Sequence, residues 1–368
     1  MMILPLFFAI HSLSPAVADI DFFVGTYTVG QASKGIYRVG LNPETGALSE
    51  PVLAAEAVNP SYLAIDRTGR HLYAVNESGR GQVIAYSVEP NLNLRELNAQ
   101  GTHGDSPCHL SVAPGGKTVL VANYGSGNVT RFPINVDGSL DRSDGEFQNH
   151  GGGPNHDRQE GPHMHMIFGT QTGRFVYACD LGTDEVLAFP FSRATGAPSF
   201  ANPRRNKANA GAGPRHAVMD AKGRYLYVNN EMQSSVSVFA VNDNAGELRE
   251  IQTITSLPEN YAGRTNTTAE IAIHPTGKWL YVSNRGHDSI AEYAVGAGGR
   301  LKLLDVFRLT IHEPRGFAID PTGRWLVAGG QHSNNLASME IDQKTGLLEA
   351  EKAVIHMPAP VCVLFAKN

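Results

Sequence analysis

The sequence predicts an all-β chain folded as a seven-bladed β-propeller, closed by strands from both termini and almost free of helix. Two repeated units predict it. The first is a glycine, a β-rich apolar run and a polar residue seven positions on. It recurs at Gly69, Gly116, Gly173, Gly223, Gly277 and Gly323, at intervals of 47, 57, 50, 54 and 46 residues. Self-similarity at such a period marks a repeat architecture. The second is an apolar run ending in a large side chain. It occurs seven times, at Tyr37, Tyr86, Phe132, Phe189, Phe239, Tyr293 and Met339.

Each repeat reads as four short strands. A proline nine residues before the glycine (Pro60, Pro107, Pro214, Pro314) opens a short apolar run such as Leu63-Ala-Ile65. The glycine turns the chain, and the second strand ends at Asn76, Asn123, Asp180, Asn230, Asn284 or Gly330. A polar turn and the third strand follow, and a Gly-x-Leu turn often leads to the fourth. Four strands in about 40–50 residues make a propeller blade. The seventh blade lacks a first strand near its own start. Pro360-Val-Cys-Val-Leu-Phe365 resembles that strand, and Phe22-Phe-Val-Gly-Thr26 resembles the second. Joining the two ends removes the open edges that would invite aggregation.

The N-terminus carries an apolar run and then Ala16-Val-Ala18 before Asp19. This is a secretory signal pattern, although no Lys or Arg precedes it. Residues 1–18 are therefore expected to be a signal peptide and 19–368 one propeller domain, periplasmic or secreted, or cytoplasmic if that segment is retained. The apolar run is too short to span a bilayer. A net charge of −5 with no basic stripe argues against a nucleic-acid partner. Cys108, Cys179 and Cys362 are odd in number and lie in different blades, so no disulfide framework is indicated. The oligomeric state stays open.

In a propeller, the start of the first strand and the end of the second face one channel mouth. The residues eight before each glycine are Ser61, Cys108, His165, Arg215, Ala269 and Arg315. Those eight after are Glu77, Tyr124, Leu181, Glu231, Arg285 and Gln331. Charge gathered in a concave place marks a functional site, and pairing of Arg with Glu across blades is the structural alternative. His150, His156, His163 and His165 lie close in sequence, and His-x-His can chelate a metal, but no Cys or carboxylate spacing completes a ligand set. Gly151-Gly-Gly-Pro154 lacks the Lys and helix of a phosphate loop, so residues 144–162 read as a mobile loop over the site.

Phe23-Val-Gly-Thr-Tyr-Thr28, Pro162-His-Met-His165, Gly213-Pro-Arg-His216 and Asn230-Glu231 resemble the seven-bladed propeller lactonases. That family includes propeller-type 6-phosphogluconolactonases, periplasmic gluconolactonases and fungal carboxy-muconate lactonizing enzymes. The likeness spans residues 21–366. It implies a lactonase in which a mouth histidine, two arginines and a glutamate take part in catalysis. By motif these are His165, Arg215, Arg285 and Glu231.

Opening a sugar 1,5-lactone, gluconolactone or its 6-phosphate, requires deprotonating water, stabilising an oxyanion and protonating the ring oxygen. A His or Glu suits the proton steps, and arginine suits the oxyanion. No Gly-x-Ser-x-Gly elbow is present, so water attacks directly and no cofactor is implied. Glu231 is expected as general base or proton shuttle with His165 as its partner; which takes the first proton is open. Arg215 and Arg285 hold the carbonyl oxygen and a substrate anion or hydroxyl. Glu77, His109, His163, Asn230, Arg315 and Gln331 are expected substrate contacts. The rival readings are a muconate cycloisomerase, which a more cationic mouth would favour, and a propeller scaffold without chemistry.

Overall fold

The structure is a computed structural model that describes residues 18–170, 172–263 and 265–367. The expected signal peptide lies outside the described residues except for Ala18. Seven antiparallel sheets follow one another around a ring. Numbered from residue 63, blades 1 to 6 begin with the innermost strands Leu63–Ile65, Pro107–Val112, Met164–Gly169, Pro214–Met219, Thr267–Ile273 and Pro314–Ile319. Blade 3 adds a short fifth strand, Ala197–Pro198, on its third. Among the described residues the only helical element is the 3₁₀ turn Ala297–Gly299.

Blade 7 is assembled from both ends. Its inner strand Pro360–Phe365 pairs antiparallel with Ile20–Thr26, with Phe22 opposite Phe365 and Val24 opposite Val363. Gly35–Leu41 and Val52–Glu56 complete the sheet.

The repeat glycines have a common cause. All six turn the first strand into the second at positive φ, between 64° and 80°. The Gly223 N–H bonds the Asp220 carbonyl at 2.9 Å, closing a tight hairpin that a Cβ would strain. The Gly-x-Leu glycines answer to packing as well. A Cβ on Gly46 would stand 2.2 Å from the Trp325 ring of the preceding blade, and one on Gly346 would stand 2.3 Å from Trp279.

The large third-strand residues of blades 1 to 6, Tyr86, Phe132, Phe189, Phe239, Tyr293 and Met339, are at most 1% exposed. Each belongs to a different one of six apolar clusters, and Tyr37 packs against a seventh, so that one cluster lies between each pair of neighbouring blades. The cluster between blades 7 and 1 joins Cys362 to Leu63 and Leu72, so the ring closes by packing as well as by hydrogen bonds.

Deleting residues 360–368 strips this inner strand. Burial of Val361, Cys362 and Val363 contributes on the order of 5 kcal/mol, comparable to the whole stability of many domains. The truncated protein is expected to melt roughly 10 °C lower or more in calorimetry, or to aggregate. An unchanged melting temperature would show that the terminal strand does not close the ring.

Candidate active site

The first strands do not enter the channel region as regular strands. Each of those from blade 2 to blade 6 has a register break at its start, between Pro107 and His109, Met164 and Met166, Pro214 and Ala217, Thr268 and Ile271, and Pro314 and Gly316. The residues inside the breaks are Cys108, His165, Arg215-His216, Ala269-Glu270 and Arg315. A bulge re-aims side chains that regular alternation would send into the blade. Side chains from consecutive blades therefore converge on the axis.

The resulting cavity, of about 300 Å³, is lined by Glu77, Cys108, Tyr124, Arg158, His165, Glu231, Thr267, Arg285 and Arg315. All but Arg158 and Thr267 stand at the two repeat positions that the sequence placed at the mouth. Beneath it, a neck of about 10 Å³ shares Glu77, Cys108 and Arg315 and reaches Arg215, His216 and Glu270.

Glu231 is the electrostatic centre. Its Oε1 accepts a 2.6 Å hydrogen bond from Arg158 Nη2. Its Oε2 lies 2.9 Å from Arg215 Nε and 3.1 Å from Arg285 Nη2. The Arg215 contact is an ion pair rather than an aligned hydrogen bond, because that buried Nε makes no hydrogen bond. Arg215 and Arg285 also donate to the backbone carbonyls of Ala269 and Thr268. Burial alone would raise the Glu231 pKa, but Arg285, Arg215 and Arg158 outweigh it and hold the carboxyl at about 2. Burial lowers the Arg285 pKa to about 10, with Glu231 opposing and Arg215 assisting, so Arg285 stays charged at neutral pH.

His165 is 4% exposed. Its Nδ1 lies 3.7 Å from Cys108 Sγ, and its ring meets Tyr124 edge-on at 5.5 Å. Burial, and then Arg215, His216 and Arg315, hold its pKa well below the ordinary value, so the imidazole is neutral. Glu77 accepts from the Tyr27 hydroxyl at 3.0 Å and from Ser61. Arg315 stacks its guanidinium over the Tyr27 ring at 5.4 Å and makes no ion pair or hydrogen bond to the described protein.

Of the expected catalytic residues, His165, Glu231 and Arg285 line the mouth and Arg215 lies just under it. Of the expected substrate contacts, Glu77 and Arg315 line it; His109, His163, Asn230 and Gln331 do not. His109 lies beside Cys108 but one level deeper, packed on Tyr62 at 4.2 Å. His163 precedes the bulge, and its ring stacks on Tyr124 at 4.5 Å. Its ring nitrogens meet the Tyr124 carbonyl at 2.9 Å and Glu160 at 3.1 Å. Asn230 alternates away from Glu231 and donates to Ser235 and Ser237 inside its hairpin. The Gln331 side-chain oxygen is buried without a partner, outside the lining.

Arg158 escaped the sequence reading because it sits outside the repeat. The extra length of the second interval, from Gly116 to Gly173, was its one signal. The loop that carries it is pinned at both ends rather than loose. Asn149 donates to Asp180 at 2.7 Å, and Gln159 donates to Leu181 and Asp184 at 2.9 and 2.8 Å.

The family model for the seven-bladed β-propeller lactonases matches residues 21–365. The chain belongs to this lactonase family. It is 40% identical over 352 residues to the 6-phosphogluconolactonase of Bacillus subtilis, covering 93% of this chain and 97% of that protein. The solved periplasmic gluconolactonase of Pseudomonas aeruginosa superposes with a TM-score of 0.88 at 29% identity, covering 95% and 99% of the two chains. A solved Bacteroides fragilis protein gives a TM-score of 0.88 at 35% identity over 96% and 99%. This lactonase is thus an enzyme, and its cationic pocket lies where the bulged strands converge.

The Glu231 cluster makes a stability prediction. In the unfolded chain a glutamate has its ordinary pKa of 4.5, and in the fold Glu231 sits at about 2. Its contribution is therefore complete above pH 4.5 and lost as the pH falls through about 2, in all about 3 kcal/mol. Glu270 and Glu292, raised by burial to about 7 and 8, are protonated in both states below pH 4 and add no slope there. Urea unfolding between pH 5 and pH 2 is expected to show wild type losing that much more stability than Glu231→Gln. Parallel losses would mean the carboxylate is not held as an anion.

Proposed function

We propose that this lactonase opens a sugar 1,5-lactone to the aldonic acid by direct attack of water, with an anionic lactone such as 6-phosphogluconolactone as its best substrate. The observation that carries the substrate reading is Arg315. It is a cation at the mouth that no carboxylate among the described residues touches, its charge favoured only at longer range by Glu77 and Glu231, while the other arginines of the site contact Glu231 directly. An unpaired guanidinium in a partly desolvated pocket fits a phosphate, which it can bind through two parallel donors.

The mechanism divides among these residues. Arg285, with Arg158 beside it, polarises the lactone carbonyl and stabilises the tetrahedral oxyanion. Neutral His165 takes a proton from the attacking water and returns it to the ring oxygen as the C–O bond breaks. Its lowered pKa makes it a weak base but, once protonated, a strong acid toward an alkoxide leaving group. Glu231, the other candidate base, has a pKa too low for that task. It serves by holding Arg215, Arg285 and Arg158 in place as a preformed electrostatic frame. The roles need no metal and no cofactor.

A second reading rests on the N-terminus. If residues 1–18 direct export, the enzyme meets unphosphorylated aldonolactones such as gluconolactone instead. Kinetics with both lactones and a muconolactone separate the cases. His165→Gln is expected to lower kcat by roughly 10²–10⁴ on any true substrate. Arg315→Met is expected to raise KM for the 6-phosphate at least tenfold and to leave gluconolactone within twofold. EDTA is expected to change neither rate. Equal effects of Arg315→Met on both lactones would remove the phosphate assignment. Turnover of the muconolactone alone would move the chain to cycloisomerase chemistry.

A further inference from the structure

Below the mouth, the bulge of blade 4 turns a second residue inward, His216, and the bulge of blade 5 does the same with Glu270. The two meet across the blade boundary. His216 Nδ1 lies 2.9 Å from Glu270 Oε1, and that oxygen also accepts the Ile271 N–H at 3.0 Å. While Glu270 is ionised this oxygen can only accept, which puts the proton of the imidazole on Nδ1. This leaves Nε2 as an acceptor. That Nε2 is buried and has no partner among the described residues, and the His216 side chain is only 2% exposed.

A buried acceptor without a partner costs on the order of 1–3 kcal/mol, so its place in the fold asks for a ligand. The ring lines the neck, which is large enough for about one water. Ser61, Arg215, Arg315 and Glu270 supply further polar groups around the same space. The ring is also held from the sides, edge-on to His165 at 5.1 Å, to His109 at 5.4 Å and to Tyr62 at 5.6 Å. A carboxylate that orients one imidazole nitrogen while the other stays free is the arrangement of a base and its orienter. His165, by contrast, has a thiol beside its Nδ1 and no carboxylate.

We infer that the neck binds one water against His216 Nε2, and that His216, oriented by Glu270, accepts through it the proton that lactone hydrolysis releases. The inference rests on the hydrolase reading above. Hydrolysis of a lactone at neutral pH yields an aldonate anion and one proton. In the relay, protonated His165 or the new carboxylic acid gives its proton to the neck water. That water passes one of its own protons to His216 Nε2, and no other bond changes. Burial, and then Arg215 and Arg315, hold the His216 pKa well below its ordinary value, so the imidazolium forms only in passing and hands its Nδ1 proton to the Glu270 carboxylate. Burial pushes the Glu270 carboxyl up to about 7 against the pull of Arg215 and Arg315, so it can take up and release a proton in the neutral range. His216 touches no substrate, and Glu270 is a positioning residue that acts through it.

Two measurements test the relay. Nitrogen-15 NMR of the wild-type imidazoles, with His216 assigned from its absence in His216→Gln, is expected to show a neutral ring protonated at Nδ1 and bare at Nε2. This needs neither substrate nor activity, and the opposite tautomer would overturn the inference. Steady-state kinetics of Glu270→Gln, checked for retained thermal stability, is expected to lower kcat by roughly 10–100-fold with KM within twofold. A folded Glu270→Gln with wild-type kcat would overturn it as well. If that variant does not fold, folded His216→Gln takes its place, with the same fall in kcat expected and an unchanged kcat overturning the relay. Wild-type protein inert toward every lactone would defeat the hydrolase reading and with it the relay, while the tautomer would report separately on the dyad.

Discussion

The closing strand is the constraint on which the rest of this structure depends. Six blades are each made from one continuous stretch of chain, and each leans on the next through a cluster of side chains. A ring of this kind is stable only if the last interface is as good as the others. Here Pro360–Phe365 is paired to Ile20–Thr26 and packed against blades 1 and 6 at once. The channel mouth inherits its geometry from that closure. Tyr27, which follows directly on the N-terminal strand of blade 7, reaches Glu77 of blade 1 with its hydroxyl and Arg315 of blade 6 with its ring. The site is thus tied across the seam where the two ends of the chain meet.

Within that frame, one local device builds the pocket. A bulge at the start of each inner strand from blade 2 to blade 6 lets residues that would otherwise face the blade core point to the axis. Because the device recurs, bulge residues of five blades reach either the cavity or the neck beneath it, and each blade contributes different side chains. The same device in blades 4 and 5 delivers two inward residues instead of one, and this brings His216 and Glu270 together below Arg215. A repeat that is uniform in its backbone thus becomes asymmetric in its chemistry.

The electrostatics show why the glutamate and the arginines need one another. Three guanidiniums this close would repel strongly in a partly buried cavity, and a lone buried carboxylate would take up a proton. Together they are fixed as ions. The same ion set would be expensive to break, because removing one member leaves the others desolvated and unpaired. This arrangement separates the tasks of the site. Groups locked in ion pairs supply a fixed field, and the neutral histidines are left to move protons.

The seven blades, the terminal closure and the two rings of mouth positions were legible in the sequence because each follows from local chemistry. A glycine is required where φ is positive, apolar residues alternate into a packed blade, and both recur at one period. His165, Glu231, Arg285 and Arg315 were found because a charge at a repeat position breaks a pattern that packing alone would fill with bland residues. Position in the repeat did not reveal which way each side chain turns. Asn230 and Glu231 are neighbours, yet one is bonded inside its hairpin and the other is held by three arginines. Arg158 comes from an insertion and has no equivalent in any other blade. The hydrogen bond between His216 and Glu270 joins residues 54 positions apart. The sequence by itself determined the ring and the candidates on its rim, because these depend on each residue's own backbone and polarity. Only the tertiary structure decided which charges are paired, which arginine is free and which histidine has an orienting carboxylate, because those depend on distances between blades that no local pattern encodes.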